Sequence, residues 1–378
     1  MIQKEQPNEK KIAVISSQTA SLCRFRMDMM RGFRSFGYQV IAVGPDPVEE
    51  WAQKFSLHGI QYYKISVERT GINPIRDIGT IIDIYRFLKR EKPTKVFCYQ
   101  AKTIVYTCLA AKMVRMQEVY PLIAGLGSVF RGTSIIEKVL KVILTLEYKL
   151  ALRGSTAVIF QNNDDLTAFV DGGIVKREKC YKINGSGVDV EKFFPTPMPH
   201  RPTFLMITRL IKDKGVMEFL GACRIIKKES PQTRCILVGP FDTNPSAMSA
   251  EELQDYLDDQ TVEYFGEQED VKPFIAQSSV FVLPSYHEGT PKSVLECMAC
   301  GRAIITTDAP GCRETVIDGI NGFRVPTRNT EAIADKMRMF VEDQSLAERM
   351  GQAGRRIAIN KYDVRKVNQD IFRIMKIQ

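Results

Sequence analysis

The sequence predicts an α/β protein built on parallel sheets, and two observations carry this prediction. Short apolar runs alternate with longer segments of helical periodicity along most of the chain. A segment with four prolines, residues 195–202, interrupts that alternation, which then resumes. Strands that alternate with helices form doubly wound parallel sheets. The sequence therefore predicts two Rossmann-like domains that face each other across a cleft, where such sheets bind ligands.

Each predicted domain is defined by its own set of elements. The first set comprises strands at 11–16, 38–43, 95–99, 122–124 and 157–161, with helices at 22–36 and 103–114. The second set comprises strands at 203–208, 234–238, 262–265, 280–283 and 303–306, with helices at 215–228 and 291–299. The predicted domains are 1–194 and 203–362. We expect a last helix within 363–378 to pack back on the first domain.

Composition excludes several classes of protein. A chain of 378 residues with 44% apolar side chains fills two or three cores, so it is neither a small disulfide scaffold nor disordered. Nine cysteines without regular spacing favour reduced thiols. The sequence shows neither a secretion signal nor a membrane-spanning apolar segment, which predicts a cytosolic protein.

The positive charge is confined to the first half of the chain. The net charge is +9, and residues 1–195 hold 29 basic and 19 acidic side chains, an excess of +10. A basic surface favours an anionic partner, which leaves nucleic acid, lipid headgroups and a diphosphate substrate open.

Two carboxylates mark the strongest candidate site. Glu288 lies in a loop after the strand at 280–283, Thr290 is placed to cap the next helix, Pro291 suits its first turn, and Glu296 lies inside it. Such acids are poorly placed to flank one bond as a glycosidase pair. They suit recognition of hydroxyl groups, and an ordinary loop acid beside an ordinary helix acid is the alternative.

Two cations follow the strand at 203–208. Arg209 and Lys214 stand five positions apart at a strand end and helix start, where a guanidinium fork and an ammonium group bracket a diphosphate. An isolated pair of this kind is usually a solvated surface pair. Together with the two carboxylates, it describes a site for a nucleotide sugar.

These segments carry a resemblance to a known family. TRLIKDKG, the LVG at 237–239 and FVLPSYHEGTPKSVLECMACGRAIITTDAPGCRETVIDGINGF resemble the donor domain of family 4 retaining glycosyltransferases, which have the GT-B fold. In the first half, FCYQAKTIVYTCLAAK, IAGLGSVF, VIFQNNDDLTAFVDGGIV and INGSGVDVEKFFP are similar to the bacterial subgroup that builds capsule, exopolysaccharide or lipid-linked glycans.

The resemblance assigns roles to residues of the second domain. It implies that Arg209 and Lys214 hold the donor diphosphate and that Glu288 contacts the transferred sugar, these three being the candidate catalytic residues. It further implies that Glu296 meets the ribose. The other implied donor-binding residues are Gly239, Gly289, Thr290 and Pro291. Enzymes of this family retain the anomeric configuration, and most need no metal or other cofactor.

The acceptor side is predicted from fewer signals. Several relatives place a histidine near the position of Ala101 and Lys102, and we expect Lys102 to face the cleft in its place. Gly125 and Gly127 follow a strand and could admit a phosphate to the backbone, although such glycines often form a plain turn. Arg26 could meet an acceptor diphosphate, and a surface arginine is the alternative.

A basic and apolar helix is predicted over 133–153. Lys138, Lys141, Lys149 and Arg153 lie on its flanks. This pattern fits core packing and fits an interfacial helix on anionic lipid equally well.

Other motifs do not support a different chemistry. Cys297 and Cys300 lack a second pair at zinc-site spacing, and His287 and Glu288 lack the second histidine of a zinc protease helix. The glycines at 185–187 do not form a dinucleotide fingerprint, and no phosphate-binding P-loop motif occurs.

The leading hypothesis is a glycosyltransferase at the membrane surface. It moves a sugar, expected to be an N-acetylhexosamine, from a UDP donor to a polyprenyl-diphosphate-linked acceptor without a metal. An alternative enzyme is a sugar-nucleotide epimerase of the same architecture. A basic protein that binds membranes or nucleic acid without catalysis is the other alternative, and the sequence shows no aromatic platform for single strands.

Overall fold

The computed structural model describes residues 10–67, 74–126, 135–243 and 246–378 as two compact units. One unit comprises the chain to Ile183 together with Asn368–Gln378, and the other comprises Asn184–Val367. The division between them therefore falls ahead of the prolines at 195–202, which belong to the second unit.

The first unit is built on a seven-stranded sheet in the order β3-β2-β1-β4-β5-β6-β7, in which each neighbouring pair is parallel. Its strands are β1 (Lys11–Ile15), β2 (Gln39–Gly44), β3 (Gln61–Lys64), β4 (Lys95–Tyr99), β5 (Val119–Ile123), β6 (Val158–Phe160) and β7 (Cys180–Lys182). Its helices are α1 (Thr19–Ser35), α2 (Val48–Ser56), α3 (Pro74–Glu91), α4 (Ala101–Met113), α5 (Ile135–Ala151) and α6 (Asn163–Asp171).

The second unit repeats this plan with a six-stranded parallel sheet in the order β10-β9-β8-β11-β12-β13. Its strands are β8 (Thr203–Ile207), β9 (Arg234–Val238), β10 (Glu263–Tyr264), β11 (Val280–Leu283), β12 (Ala303–Thr307) and β13 (Gly322–Val325). Its helices are α7 (Val216–Glu229), α8 (Ala250–Asp258), α9 (Lys272–Ala276), α10 (Lys292–Ala299), α11 (Thr330–Glu342) and α12 (Gln344–Ile357).

The central strands are apolar on both faces because helices cover both sides of each sheet. β1, with the sequence KIAVI, and β11, with the sequence VFVL, are buried almost throughout. Such continuous apolar runs are typical of parallel sheets. The predicted fold class, two doubly wound α/β units, is confirmed.

The proline segment is fixed to the second unit by one arginine. The Arg302 side chain is 1% exposed, and its Nη1 donates to the carbonyl of Thr196 at 2.9 Å. Its Nη2 also donates to the Thr196 hydroxyl and to the carbonyl of Pro197. The segment therefore has fixed partners in the second unit.

The last helix, α13 (Val364–Ile374), begins in the second unit and ends in the first. The Phe372 ring lies 5.3 Å from that of Phe33 and 5.4 Å from that of Phe36, both on α1 or its end. These ring contacts attach the carboxyl-terminal residues to the first unit.

No helix in the described part of the chain is both long and apolar enough to cross a membrane.

Candidate active site

The predicted donor residues lie along one edge of the second sheet. β9, β8 and β11 are consecutive in it, and the chain reverses its winding direction between β8 and β11. Arg209 and Lys214 follow β8, Gly239 follows β9, and the loop from Glu288 to Pro291 follows β11. In open α/β sheets ligands bind at the carboxyl ends of the strands, at such a switch point.

Lys214 and Glu288 form an ion pair at this edge. The distance from Lys214 Nζ to Glu288 Oε1 is 2.6 Å, and the two side chains are 21% and 16% exposed. Removal from water strengthens this contact relative to a surface pair. An ammonium group and a carboxylate are therefore presented side by side.

The backbone brings these two residues together. Lys214 ends a one-turn 3-10 helix, Lys212–Lys214, and the carbonyl of Asp213 accepts hydrogen bonds from the Tyr286 amide at 3.0 Å and from the Ser285 hydroxyl at 3.3 Å. Gly215 follows with φ +75°, and a Cβ there would lie 2.2 Å from the carbonyl oxygen of Pro284. The loops after β8 and β11 are thus joined immediately behind the ion pair.

The loop that carries Glu288 rests on a second loop. The Glu288 amide donates to the carbonyl of Pro310 at 2.9 Å. Burial, and after it the nearby Glu288 carboxylate, raises the pKa of the Cys312 thiol to about 12, against an opposing effect of Lys214. The ion pair therefore lies next to a thiol that is fully buried and uncharged.

Gly311 supports the Glu288 backbone by having no side chain. Its φ is +80°, and a Cβ there would lie 2.1 Å from the Glu288 carbonyl oxygen and 2.6 Å from that of Gly289. A methyl group would force the Glu288 loop to move, because the clash is with backbone atoms.

We expect Gly311→Ala to destabilise the protein by about 2–4 kcal/mol, from the left-handed backbone and the clash together, and to lower kcat at least tenfold. Gly319→Ala is the matched control, because its φ is +74° and nothing lies within 4 Å of the added Cβ. Urea unfolding and steady-state kinetics measure both effects. Equal losses in the two variants would remove the support role from Gly311.

Arg209 is held by a partner that the sequence did not indicate. Arg209 Nη1 lies 2.5 Å from Asp242 Oδ2, and the Asp242 side chain is 11% exposed. The carbonyl of Gly239 accepts a hydrogen bond from the Tyr264 hydroxyl at 2.9 Å. Asp242 orients the guanidinium at the same sheet edge as Lys214.

The start of α10 differs from the prediction, whereas Glu296 lies inside the helix as predicted. α10 begins at Lys292 with Pro291 at its N-cap position, so Thr290 lies one residue before the cap position for which it was predicted and Pro291 lies just ahead of the first turn in which it was predicted. Glu296 lies 3.9 Å from Lys292 Nζ, and burial raises the pKa of its carboxyl. No direct contact joins Glu296 to the Lys214–Glu288 pair in the described contacts.

The glycine segment at 185–187 belongs beside this loop. A Cβ on Gly185 would lie 2.7 Å from the Thr290 Cβ, so the Thr290 side chain packs closely on the Gly185 backbone. The sequence pattern of these glycines predicts neither a dinucleotide motif nor this contact. Their spacing gives no signal for a partner about a hundred residues away.

In the first unit, a strained glutamine joins the carboxyl ends of β1 and β4. Gln100 has φ +75° and ψ 137°, a conformation that costs a non-glycine residue about 1–3 kcal/mol. Its Oε1 accepts hydrogen bonds from the Ser16 hydroxyl at 2.8 Å, the Ser17 amide at 2.8 Å and the Ser17 hydroxyl at 2.7 Å. This switch-point cluster was missed because sequence carries no signal for a positive φ at glutamine.

The predicted acceptor residues lie in different elements of the first unit, and some lie outside the described residues. Lys102 lies in the first turn of α4, and its Nζ lies 2.8 Å from Asp77 Oδ1 of α3. A cation is unfavourable at the positive end of a helix dipole, and the Asp77 carboxylate offsets this effect. Gly125 follows β5. Gly127 and the beginning of the helix predicted at 133–153 lie outside the described residues.

The prediction for Arg26 needs correction. Its side chain is 2% exposed, and its guanidinium lies 5.5 Å from the Phe97 ring centre and 5.2 Å from that of Tyr99. Burial lowers its pKa to about 10. Arg26 thus points from α1 onto β4, where it makes cation–π contacts, and it is not presented to an acceptor.

No cluster of three or more histidine, cysteine, aspartate or glutamate side chains with metal-binding geometry occurs within the residues that the structure describes. The chemistry available at the edge of the second sheet comes from fixed cations, one adjacent carboxylate and backbone amides. Such groups bind a diphosphate and sugar hydroxyls.

Comparisons with known proteins agree with this arrangement. A glycosyl transferase 4-like family matches residues 11–162, and the glycosyl transferases group 1 family matches residues 189–357. The N,N'-diacetylbacillosaminyl-diphospho-undecaprenol alpha-1,3-N-acetylgalactosaminyltransferase of Campylobacter jejuni is 27% identical, over 89% of this chain and 90% of its own. The UDP-Gal:alpha-D-GlcNAc-diphosphoundecaprenol alpha-1,3-galactosyltransferase of Escherichia coli is 24% identical, over 78% of each chain.

A solved structure shares the whole architecture. HepE of Anabaena, solved with UDP and glucose, is 18% identical, covers 97% of this chain and 100% of its own, and superposes with a TM-score of 0.75. The fold and the two matched domains define a GT-B glycosyltransferase. The chain belongs to the glycosyltransferases that combine a 4-like domain with a group 1 domain, as its motifs predicted, and it is an enzyme of that class.

Proposed function

We propose that this glycosyltransferase transfers an N-acetylhexosamine from a UDP-linked donor to a polyprenyl-diphosphate-linked saccharide during the synthesis of a bacterial surface glycan. The transfer takes place at the inner face of the plasma membrane, where such an acceptor is anchored. The observation that carries the proposal is the 2.6 Å contact between Lys214 and Glu288 at the switch point of the second sheet. It sets a phosphate-binding cation beside a hydroxyl-binding carboxylate.

The donor diphosphate is bound by Lys214 and Arg209 in this proposal. Both cations offset the negative charge that grows on UDP as it leaves, without the help of a metal. Asp242 keeps the Arg209 guanidinium in place, since the two side chains are 2.5 Å apart. Lys214 exchanges part of its contact with Glu288 for a phosphate oxygen.

The transferred sugar is held by Glu288, with the backbone at Gly289, Thr290 and Pro291 against the sugar and phosphate. A carboxylate accepts hydrogen bonds from two neighbouring hydroxyls, which fixes the sugar ring. Glu296, further along the same loop and helix, binds the ribose. Gly239 lets the nucleotide approach the end of β9.

The reaction exchanges one bond to the anomeric carbon for another. The carbon–oxygen bond to UDP breaks, a bond to an acceptor hydroxyl oxygen forms with the same configuration, and the hydroxyl proton leaves with UDP. Closure of the site against water favours transfer over hydrolysis. On the acceptor side, Lys102, Gly125 and Gly127 are the candidate contacts for the lipid-linked diphosphate.

Two relatives and the charge distribution support the choice of substrates. The Campylobacter jejuni relative acts on a diphospho-undecaprenol and is an N-acetylgalactosaminyltransferase by name. The Escherichia coli relative uses UDP-Gal and a diphosphoundecaprenol acceptor. The +10 excess in residues 1–195 suits an acceptor that carries a diphosphate in an anionic surface.

The test is a matrix of UDP-sugars against polyprenyl-diphosphate monosaccharides, read by product mass. We expect one N-acetylhexosamine to be added to the acceptor at an unchanged rate in EDTA. Conversion of the UDP-sugar, without acceptor, into an isomer of the same mass that chromatography separates would favour the epimerase. Loss of activity in EDTA would overturn the metal-free mechanism, and products only from nucleotides other than UDP would overturn the donor assignment.

A further inference from the structure

Tyr286 joins the two loops of the candidate active site at a second point. Its amide donates to the carbonyl of Asp213 at 3.0 Å, one residue before Lys214. Its hydroxyl donates to the carboxylate of Glu218, which lies four residues after Lys214 in the first turn of α7. Tyr286 itself lies two residues before Glu288. One residue of the loop after β11 therefore contacts the chain on both sides of Lys214.

The phenol is the donor in the contact with Glu218. Burial, and after it the hydrogen bond to Glu218, raises the pKa of the Tyr286 hydroxyl well above its usual value, against an opposing effect of Arg328. The phenol therefore keeps its proton and offers it to the carboxylate. A hydrogen bond to a charged acceptor is strong and directional, so it fixes the position of the phenol oxygen.

The Tyr286 ring is also held on its face. The Arg328 guanidinium lies 4.8 Å from the centre of this ring, where the ring attracts a cation. Arg328 lies just ahead of α11, and α11 packs on α7. The side chain is thus contacted from α7 through its hydroxyl and from the loop ahead of α11 through its face.

The Glu218 carboxylate is costly for the fold. Its Oε2 is buried and has no hydrogen-bond partner among the described residues. The dipole of α7 offsets part of this cost, because a negative charge is favourable in the first turn of a helix.

An apolar pair of similar volume at positions 218 and 286 would bury no unpaired oxygen, and such replacements of buried polar pairs are often neutral or stabilising. Apolar packing is not directional, however, so it would not hold the loop after β11 at one point against α7. The contact between Tyr286 and Glu218 therefore supplies position at the expense of stability.

We propose that Tyr286 is a positioning residue for glycosyl transfer, which acts by holding the Glu288 loop at a fixed distance from Lys214. The inference rests on the proposed function, in which Glu288 holds the sugar and Lys214 holds the diphosphate of one donor. The bond that breaks joins these two parts of the donor. A shift between the two loops displaces the sugar from its reactive position, and a displacement of about 1 Å lowers enzyme rates by about 100-fold.

Tyr286→Phe tests the role of the hydroxyl while it keeps the ring. We expect kcat to fall about tenfold or more and the Kd for UDP to change by less than about threefold, because Lys214 and Arg209 stay on their own loop. Glu218→Gln should keep kcat within about threefold of the unmodified enzyme, since a carboxamide oxygen still accepts the phenol proton. A tenfold loss in Glu218→Gln with none in Tyr286→Phe would overturn the proposal.

Tyr120→Phe is the matched control. The Tyr120 hydroxyl donates to Glu118 Oε1 at 2.9 Å, so a phenol again bonds a carboxylate, but near the amino end of β5 in the first unit. We expect kcat within about threefold of the unmodified enzyme for this variant. Equal losses of kcat in Tyr120→Phe and Tyr286→Phe would overturn the positioning role.

A double variant separates position from stability. Tyr286→Phe with Glu218→Leu replaces the polar contact by an apolar one, so urea unfolding should show at least the stability of Tyr286→Phe alone. We expect kcat to stay about tenfold low in the double variant, because no directional contact is restored. A kcat that recovers with stability would show that Tyr286 only supports the fold.

The coupling between Lys214 and Glu288 gives a test that needs no substrate. Urea unfolding of the ligand-free Lys214→Ala, Glu288→Ala and double variants measures this coupling energy. We expect it to fall to about half or less when Tyr286→Phe is added to all four proteins. A purely structural role would lower the stability of all four alike and leave the coupling unchanged, which would overturn the proposal. A reduced coupling in an enzyme that transfers sugar from no UDP-linked donor would refute the proposed function alone.

Discussion

Replacement of Glu288 by glutamine is expected to lower kcat by about 10³-fold and to change the Kd for UDP by less than about threefold. The carboxylate accepts hydrogen bonds from the sugar, whereas an amide accepts fewer. The amide also carries no negative charge, so it does not stabilise the positive charge that develops on the sugar as UDP leaves. The nucleotide is held by other groups, so its affinity is maintained. Steady-state kinetics and calorimetric titration of UDP measure the two quantities separately.

A neighbouring pair provides the control for this result. Glu252 Oε1 lies 2.6 Å from Lys212 Nζ, the same separation as in the pair of Glu288 and Lys214, but the Glu252 side chain is 35% exposed. Glu252→Gln keeps the capping box that Ser249 and residue 252 form at the start of α8, so the fold is preserved. We expect normal turnover from this variant. A kcat within threefold of the unmodified enzyme for Glu288→Gln would exclude Glu288 from the reaction.

The elements that sequence predicted best are the strands buried on both faces. The bounds of β4, β9 and β11 agree with the prediction because each is an apolar run with polar or turn-forming residues at its ends. Helix starts were less accurate, as α1 begins at Thr19, three residues ahead of the predicted start. The first turn of a helix carries little apolar periodicity.

The sequence predicted that Glu288 and Lys214 belong to one candidate site, but it did not predict the direct contact between them. Glu288 and Lys214 are 74 positions apart, and only the adjacency of β8 and β11 brings their loops together. Doubly wound topology predicts that both loops lie at the same sheet edge. It does not predict the ion pair between Asp242 and Arg209, because that contact depends on the path of the loop after β9.

Arg26 illustrates a limit of a different kind. Its sequence neighbourhood, RFRMDMM, mixes basic and apolar residues, and nothing in it distinguishes an exposed arginine from one under a helix. The distinction comes from Phe97 and Tyr99 on β4, whose rings face α1 and accept the guanidinium. Long side chains that are polar only at the tip are buried or exposed according to tertiary neighbours.

Replacement of Lys214 by alanine is expected to raise the Kd for UDP about 30–100-fold, because a charge-assisted contact to the diphosphate is lost and the Glu288 carboxylate beside it is left without its cation. Since the second effect is repulsion by Glu288, the double variant Lys214→Ala, Glu288→Ala should recover part of the UDP affinity while kcat stays low. Titration of UDP into the two single variants and the double variant gives the coupling energy of the pair.

Lys212→Ala is the control for this series, because Lys212 lies two residues away in the same 3-10 helix but is 46% exposed and pairs with Glu252. Salt should weaken UDP binding by the unmodified enzyme more than by Lys214→Ala, since one cation fewer faces the diphosphate. A Kd for UDP that is the same in Lys214→Ala and in the unmodified enzyme would place the diphosphate away from the switch point of the second sheet. The proposed donor geometry would then fail together with the role of Glu288, because the two side chains share one contact.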